Sequence, residues 1–288
     1  MVTMKDFTLL TFKNLLESLQ VNNYQFFTVE EYFTGSIASS TNRPLAGLPS
    51  PPRPVIILRH DVDRMPQNAL KMAKLEHDLG IKTTYYFRTI PQTFKPEIIK
   101  QIVDLGHEIG YHYENLSMAG RLLKKSKPNN RTSAEFKTAL YKLAMEDFKN
   151  SLECLRELYP VRTMCKHGAP LSEYDNGDIW KEYDYKKEGI IGEPNFDINW
   201  NEMLYISDAA RAWNNKDISR RDKVNSSYKY TFNNTKDIID ALNKFKLPSK
   251  IMINIHPEHW AESNLEWLKI WIIRKIKNTF KKIYLRTQ

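Results

Sequence analysis

From residue 55 onward the chain alternates short apolar runs with amphipathic segments, and this βα alternation most constrains its fold. Residues 55–58 read Val-Ile-Ile-Leu, a buried strand. Residues 67–79 place Leu70, Met72, Ala73, Leu75 and Leu79 on one helical face, stopped by Gly80. A β-rich stretch at 83–87 comes next, then a helix over 96–105 stopped by Gly106, then a short strand over 107–112. Ser133 caps a long helix reaching about Tyr159, which Pro160 ends. Further strands are expected at 161–166, 190–191, 204–206 and 250–255, with helices over 235–245 and from Ser263 onward. Repeated βα order favours parallel strands with helices outside. Roughly five to eight strands fit, so a barrel or incomplete barrel suits the pattern better than an open sheet.

Ahead of this body, residues 6–20 carry helical apolar spacing through Phe7, Leu10, Phe12, Leu15, Leu16 and Leu19. Residues 34–54 are rich in glycine and proline and mark a boundary. The expected units are an N-terminal helical extension over 1–50, packed on the barrel, and a (β/α) barrel over 51–288. A chain of 288 residues suits a single α/β barrel.

Charged residues make up 27% of the chain, which argues against a membrane-embedded protein, and no apolar run approaches the ~20 residues of a spanning helix. Formal net charge is +9. That balance favours anionic partners, but the basic residues are spread out and no nucleic-acid motif is present, so nucleic acid is not an expected partner. Cys154 and Cys165 form no CxxC pair, and the N-terminus lacks the features of a secretory signal. A reduced, cytoplasmic protein is expected.

Polar clusters sit at the strand ends. The apolar run at 55–58 ends in Arg59-His60-Asp61-Val62-Asp63. Later strands deliver His107, Glu108, His112 and Glu114; then Lys166 and His167; then Asp208 and Arg211; and last His256, Glu258 and His259. In a parallel barrel these ends converge on one face. Asp61 and Asp63 are two apart and point the same way on an extended backbone. Either they chelate a metal together, or one binds metal while the other acts as a base. His112 is the better-placed ligand of its strand, whereas His107, at the strand's base, suits a structural role. His60 points to the opposite face from the aspartates, and His259 lies in a loop at the rim or surface. Arg211 could hold a substrate carboxylate or phosphate, or pair with Asp208 in the barrel wall.

The ordered segments ILRHDVD, TTYYFR, GHEIGYHYE, KHGAP and INIHPEHW resemble the motifs of the polysaccharide deacetylase (NodB-homology) superfamily over about residues 55–260. The resemblance implies a distorted (β/α) barrel, usually seven-stranded, and metal-dependent removal of an acetyl group from a sugar. It matches Asp61 to the catalytic base, His112 to a metal ligand and His256 to the general acid. The family's second aspartate falls on Val62, with Asp63 able to replace it, and its second histidine falls on Leu116, so that Glu114 or another residue must complete the site. Its third motif is replaced by residues 167–170. These departures describe a divergent branch, associated with bacterial surface-polysaccharide synthesis.

The expected activity is hydrolysis of a carbon–nitrogen, non-peptide amide bond, foremost a sugar N-acetyl group. A divalent ion, Zn²⁺ first, would be held by His112 with Asp63 or Asp61, the remaining aspartate would take the water's proton, and His256 would protonate the leaving amine. His167, Arg211, Asp208 and Glu114 are the expected substrate-binding residues. The alternatives are a metal-independent acid/base enzyme on the same fold and a non-catalytic carbohydrate-binding protein. In the last helix, Trp267, Leu268, Trp271, Ile272, Lys275, Ile276 and Phe280 repeat at helical spacing, while Lys269, Arg274, Lys277, Lys281 and Lys282 supply a basic surface. Its apolar stripe is expected to pack on the sheet, and its basic side offers a weak contact for an anionic membrane surface.

Overall fold

The computed structural model describes residues 5–36, 53–126, 133–169, 171–213 and 224–286, with the side chains of the final helix described as far as residue 279. Most of the Gly/Pro-rich boundary, Pro170, and the side chains of Phe280, Lys281 and Lys282 lie outside the described residues.

The elements alternate as the apolar pattern dictates. Helix α1 (Leu9–Val21) leads to β1 (Gln25–Phe27) and the short α2 (Val29–Phe33). The body then runs β2 (Val55–Val62), α3 (Pro66–Asp78), β3 (Thr84–Phe87), α4 (Pro96–Asp104), β4 (Glu108–Tyr113), α5 (Asn115–Ser126), α6 (Ala134–Arg156) and β5 (Met164–Lys166). It closes with α7 (Pro194–Asp197), β6 (Leu204–Ser207), α8 (Thr235–Asn243), β7 (Lys250–Ile255) and α9 (Asn264–Arg286).

These strands form a seven-stranded parallel sheet in the order β5-β4-β3-β2-β7-β6, with β1 added beside the first half of β2. Among the described residues no ladder joins β5 to β6, so the distorted (β/α) barrel stays open between these two edges. The strand expected at 190–191 is instead a bridge between Thr163 and Gly192, and β1 supplies the seventh strand. At three residues β1 is too short for alternation to reveal it.

Every residue of β2 is buried, as its apolar run requires of a central parallel strand. Helix α3 covers the sheet with Ala69, Leu70, Met72 and Ala73. Gly80 and Gly106 adopt positive φ just past α3 and α4, where a side chain would be strained, and this turns the chain into the next strand. In β4, a Cβ at Gly110 would collide with the Tyr86 ring, so glycine there lets β3 and β4 pack their interior faces. Helix α1 anchors to the same body through Phe12, Leu15, Leu16 and Leu19, all fully buried, each contributing about 1.5–3 kcal/mol. Helix α9 departs from expectation. Its apolar stripe is not packed on the sheet: Leu268, Ile272 and Ile276 are 47%, 45% and 52% exposed.

Candidate active site

Strand pleating sorts the β2 cluster into two faces. Arg59 and Asp61 share one face, and His60 takes the other. His60 is wholly buried: its Nε2 lies 2.7 Å from Glu76 on α3, and its ring stacks on Tyr85 at 4.2 Å. His107 is also structural, with Nε2 3.0 Å from the Ala73 carbonyl and Nδ1 3.1 Å from the Thr83 hydroxyl. Neither approaches the mouth chemistry.

On the interior face, Asp61 is held at both oxygens. Arg59 Nη1 donates to Oδ1 at 3.0 Å, and Asn254 Nδ2 donates to Oδ2 at 2.9 Å. Arg59 also donates to Tyr205 Oη at 3.1 Å and contacts Cys165 Sγ. Such a buried guanidinium needs these acceptors, since it cannot shed its charge. Asp61 lies with His112 and Cys165 in a set whose ligand atoms are within 4.8 Å of one another. The Arg59 contact at the thiol makes this set a poor cation site, and burial pushes the Cys165 thiol well above its ordinary value.

Just beyond β2 the chain bends, the Asp63 N–H donating to the Asp61 carbonyl at 3.0 Å. Asp63 thereby reaches the ends of β4 and β5. Its Oδ1 lies 3.2 Å from His112 Nε2 and 3.4 Å from His167 Nε2, yet it is buried without a hydrogen-bond partner, because neither approach is aligned as one. The far nitrogens differ: that of His112 is hydrogen-bonded, while that of His167 stands at ion-pair distance from a carboxylate without hydrogen-bond alignment. His112 Nδ1 lies 2.9 Å from the Cys165 carbonyl, and His167 Nδ1 lies 3.2 Å from Glu114 Oε2. Glu114 is fixed in turn by Arg88, whose Nε donates to Oε1 at 2.7 Å and whose Nη1 donates to the Asp63 carbonyl at 3.1 Å.

Two of the three separations that a shared ion would need are present here, 3.2 and 3.4 Å, whereas the described donor sets whose atoms all lie within 4.8 Å of one another are Asp61, His112 and Cys165, and Asp208, His256 and His259. His112, with Nδ1 on the Cys165 carbonyl and Nε2 beside the unsatisfied Asp63 oxygen, is oriented as metal-binding histidines are. Tetrahedral ligands about 2.0–2.1 Å from Zn²⁺ stand about 3.3 Å from one another, close to the two Asp63–imidazole separations. The local field also favours positive charge. Burial opposes it, but Asp63 and Glu114 outweigh burial and push His167 up to about 9. Against the same burial, His167 and His112 hold the Asp63 carboxyl well below its usual range.

A second dyad stands at the ends of β6 and β7. His256 Nδ1 lies 2.6 Å from Asp208 Oδ1, and the Trp260 indole donates to Oδ2 at 2.8 Å. Burial works against protonation of His256, but Asp208 overcomes it, with Asp63 and Asp61 adding to the effect, and the ring is pushed up to about 10. Asp63 and Asp61 thus favour the charged form of His256. Burial likewise opposes ionisation of Asp208, yet His259 and His256 hold its carboxyl well below the ordinary range. His259 is buried rather than at the rim or surface, and burial together with Arg274 pushes it down to about 3, leaving a neutral ring behind the dyad.

Of the residues singled out from sequence, Asp63, His112, His167 and Glu114 meet at one cluster, with Asp61 on the adjoining strand face and His256 with Asp208 across the mouth. Arg211 does not join them. Its backbone N–H donates to the Asp208 carbonyl at 2.8 Å, while its guanidinium lies over the rings of Trp267 and Phe7 at 4.9 and 5.6 Å. Leu116, where the family motif would place a second histidine, is 1% exposed on α5 within the apolar core. Sequence reasoning assigned no role to Arg59, Arg88 or Asn254. The two-residue step from Arg59 to Asp61 was the one signal for the first. The others depend on cross-strand register, β2 pairing with β3 and β7.

No family model matches the chain, and no curated protein matches it. Solved structures similar to it include a Streptococcus mutans CE4 esterase, at 12% identity and TM-score 0.41, covering 86% of each chain. They also include wild-type BA3943, a CE4 family pseudoenzyme from Bacillus anthracis, at 14% identity and TM-score 0.39, covering 80% of this chain and 66% of that one. A BA3943 mutant with restored enzymatic activity matches at 14% identity and TM-score 0.39, covering 81% and 68%. At such distances likeness assigns neither activity nor ligands, which rest on the side chains present. In the order of its motif residues along the curled parallel sheet the chain resembles the polysaccharide deacetylase (NodB-homology) superfamily, and it differs from that pattern at the ligand positions.

Proposed function

We propose that the protein is a metal-dependent hydrolase that removes an acyl group, foremost N-acetyl, from a sugar. The observation that carries this reading is the buried, unsatisfied Asp63 Oδ1 flanked by the Nε2 atoms of His112 and His167. Asp63, His112 and His167 would hold the ion, and their mixed oxygen and imidazole donors suit Zn²⁺. When bound, such an ion supplies Lewis-acid polarisation of the acyl carbonyl and of water.

The remaining steps belong to the chain's own residues. Asp61, positioned by Arg59 and Asn254, takes a proton from the attacking water as the new C–O bond forms. His256, charged at neutral pH through Asp208, gives its proton to the leaving nitrogen as the C–N bond breaks, releasing an amine and a carboxylate. Arg88 and Glu114 keep His167 oriented throughout. In this reading His167 and Glu114 serve the metal rather than the substrate, and Asp208 serves His256.

The test is hydrolysis of N-acetylated sugars by protein purified without chelators, with acetate release measured before and after metal stripping and zinc return. The proposal expects turnover that disappears on stripping and returns with zinc. Turnover indifferent to stripping, or sugar binding without turnover in the zinc-loaded protein, overturns it.

A further inference from the structure

Helix α9 presents two rows of side chains two residues out of phase, which at 3.6 residues per turn places them on opposite faces. The inner row holds the helix to the body. The Trp267 indole donates to the Asp6 carbonyl at 2.6 Å, Ile270 is buried, the Arg274 guanidinium pairs with Glu258 at 2.6 Å, and Asn278 donates to the Ala210 carbonyl at 3.1 Å. The outer row is Leu265, Leu268, Ile272 and Ile276, with exposures of 82%, 47%, 45% and 52%. This is a contiguous apolar stripe on an otherwise well-anchored helix, and such stripes mark contact surfaces.

Charge selects the partner. At 100° per residue, Lys275 flanks the outer row on one side and Lys269 on the other, and Lys275 Nζ lies 4.8 Å over the half-exposed Trp271 ring. The helix has one acidic residue, Glu266, and it is turned onto the Glu262 N–H at 2.8 Å and the Asn68 amide at 3.3 Å. A second copy seated on this face would set lysine rows against each other with no carboxylate to answer them. A surface of anionic phospholipid answers both features, with headgroup phosphates for the lysines and the acyl boundary for the leucine and isoleucine side chains. No described helix is long and apolar enough to cross a membrane.

We infer that the outward face of α9 is an interfacial membrane-docking surface specific for anionic phospholipid, with the helix lying in the plane of the headgroups and Leu265, Leu268, Ile272 and Ile276 inserted.

The full chain is mixed with sucrose-loaded vesicles of phosphatidylcholine alone or with phosphatidylglycerol, at low and high salt, and sedimented. Retention is expected on the phosphatidylglycerol vesicles at low salt, with loss as salt rises. Lys269→Ala with Lys275→Ala should weaken binding about 30-fold, the change that ~1 kcal/mol per lysine gives. Ile272→Glu with Ile276→Glu should abolish it, with circular dichroism confirming an unchanged fold. Equal recovery in the supernatant with both vesicle types, equal binding to neutral and anionic vesicles, or a dimer in light scattering that Ile272→Glu with Ile276→Glu dissolves would each overturn the inference. The lysine variant alters exposed side chains alone, so it reports on the contact even if the glutamate variant fails to fold.

Discussion

His256 and Asp208 meet twice at the same oxygen: the imidazole Nδ1 lies 2.6 Å from Asp208 Oδ1, and the His256 backbone N–H donates to that oxygen at 2.9 Å. The double contact fixes both the ring and its charge. A histidine raised to about 10 in the fold, against an ordinary value near 6.5, contributes stability that is complete below about 6.5 and is lost as pH rises through about 10. Its acid form persists over the same range. Asp208→Asn removes the charge that holds the proton, so the alkaline limb of the pH–rate profile should move down toward the ordinary imidazole value. An unmoved limb contradicts the dyad. His256→Ala should lower kcat by about 10² to 10⁴, the usual contribution of a general acid.

Asp61→Asn keeps the shape of the interior cluster but removes the base. Turnover should fall by about 10² or more, while zinc content stays at the wild-type level, because the ion is assigned to Asp63, His112 and His167. Loss of zinc together with activity in this variant would place Asp61 among the ligands instead.

Glu114 touches His167 and not the mouth, so its effect should be on affinity. Glu114→Gln is expected to weaken zinc binding by about 10- to 100-fold, as removal of a carboxylate behind a metal-bound imidazole does. Competition with a chromophoric chelator reads this without reference to activity. An unchanged affinity would leave Glu114 to the Arg88 pair alone.

Away from the site, Glu76 anchors a buried network. It accepts from Tyr85 Oη at 2.7 Å and Thr83 Oγ1 at 2.8 Å, and it lies 2.7 Å from His60 Nε2. Glu76→Ala strands these donors and should cost about 3–5 kcal/mol, lowering Tm by roughly 10 °C or more. Burial opposes its ionisation, but His60 outweighs this and the carboxyl lies below its ordinary value of 4.5. Its contribution is therefore present above about 4.5 and lost as pH falls further. Calorimetry at neutral pH checks the first statement. The acid limb of a Tm-versus-pH curve, compared between wild type and Glu76→Ala, checks the second.

Much of this molecule is legible in the order of its residues. Val55 to Leu58 reads as a buried strand because a central parallel strand has no polar face, and Gly80 and Gly106 punctuate α3 and α4 because the chain there needs positive φ. His112 and His256 announce themselves as histidines at strand ends. Other features were hidden for physical reasons. The three residues of β1 are too few to show a period. The partnership of His167 with Asp63 depends on a bend after β2, where the Asp63 N–H turns back to the Asp61 carbonyl and no strand register applies. The position of His259 depends on Asp208, distant in sequence, whose Oδ2 lies 3.4 Å from its Nδ1. The apolar stripe of α9 was visible, but periodicity reports that a helix has two faces and not which one turns inward.

The central claim is that His167 completes a metal site with Asp63 and His112, and zinc stoichiometry tests it most directly. Protein stripped of metal and equilibrated with Zn²⁺ should retain about one ion per chain in the wild type, as a single such site requires. His167→Ala and His112→Ala should each fall well below that, whereas His60→Gln, altered outside the site, should match the wild type per folded molecule. Wild-type protein that retains no zinc, or a His167→Ala variant that binds it as tightly as the wild type, would contradict the account.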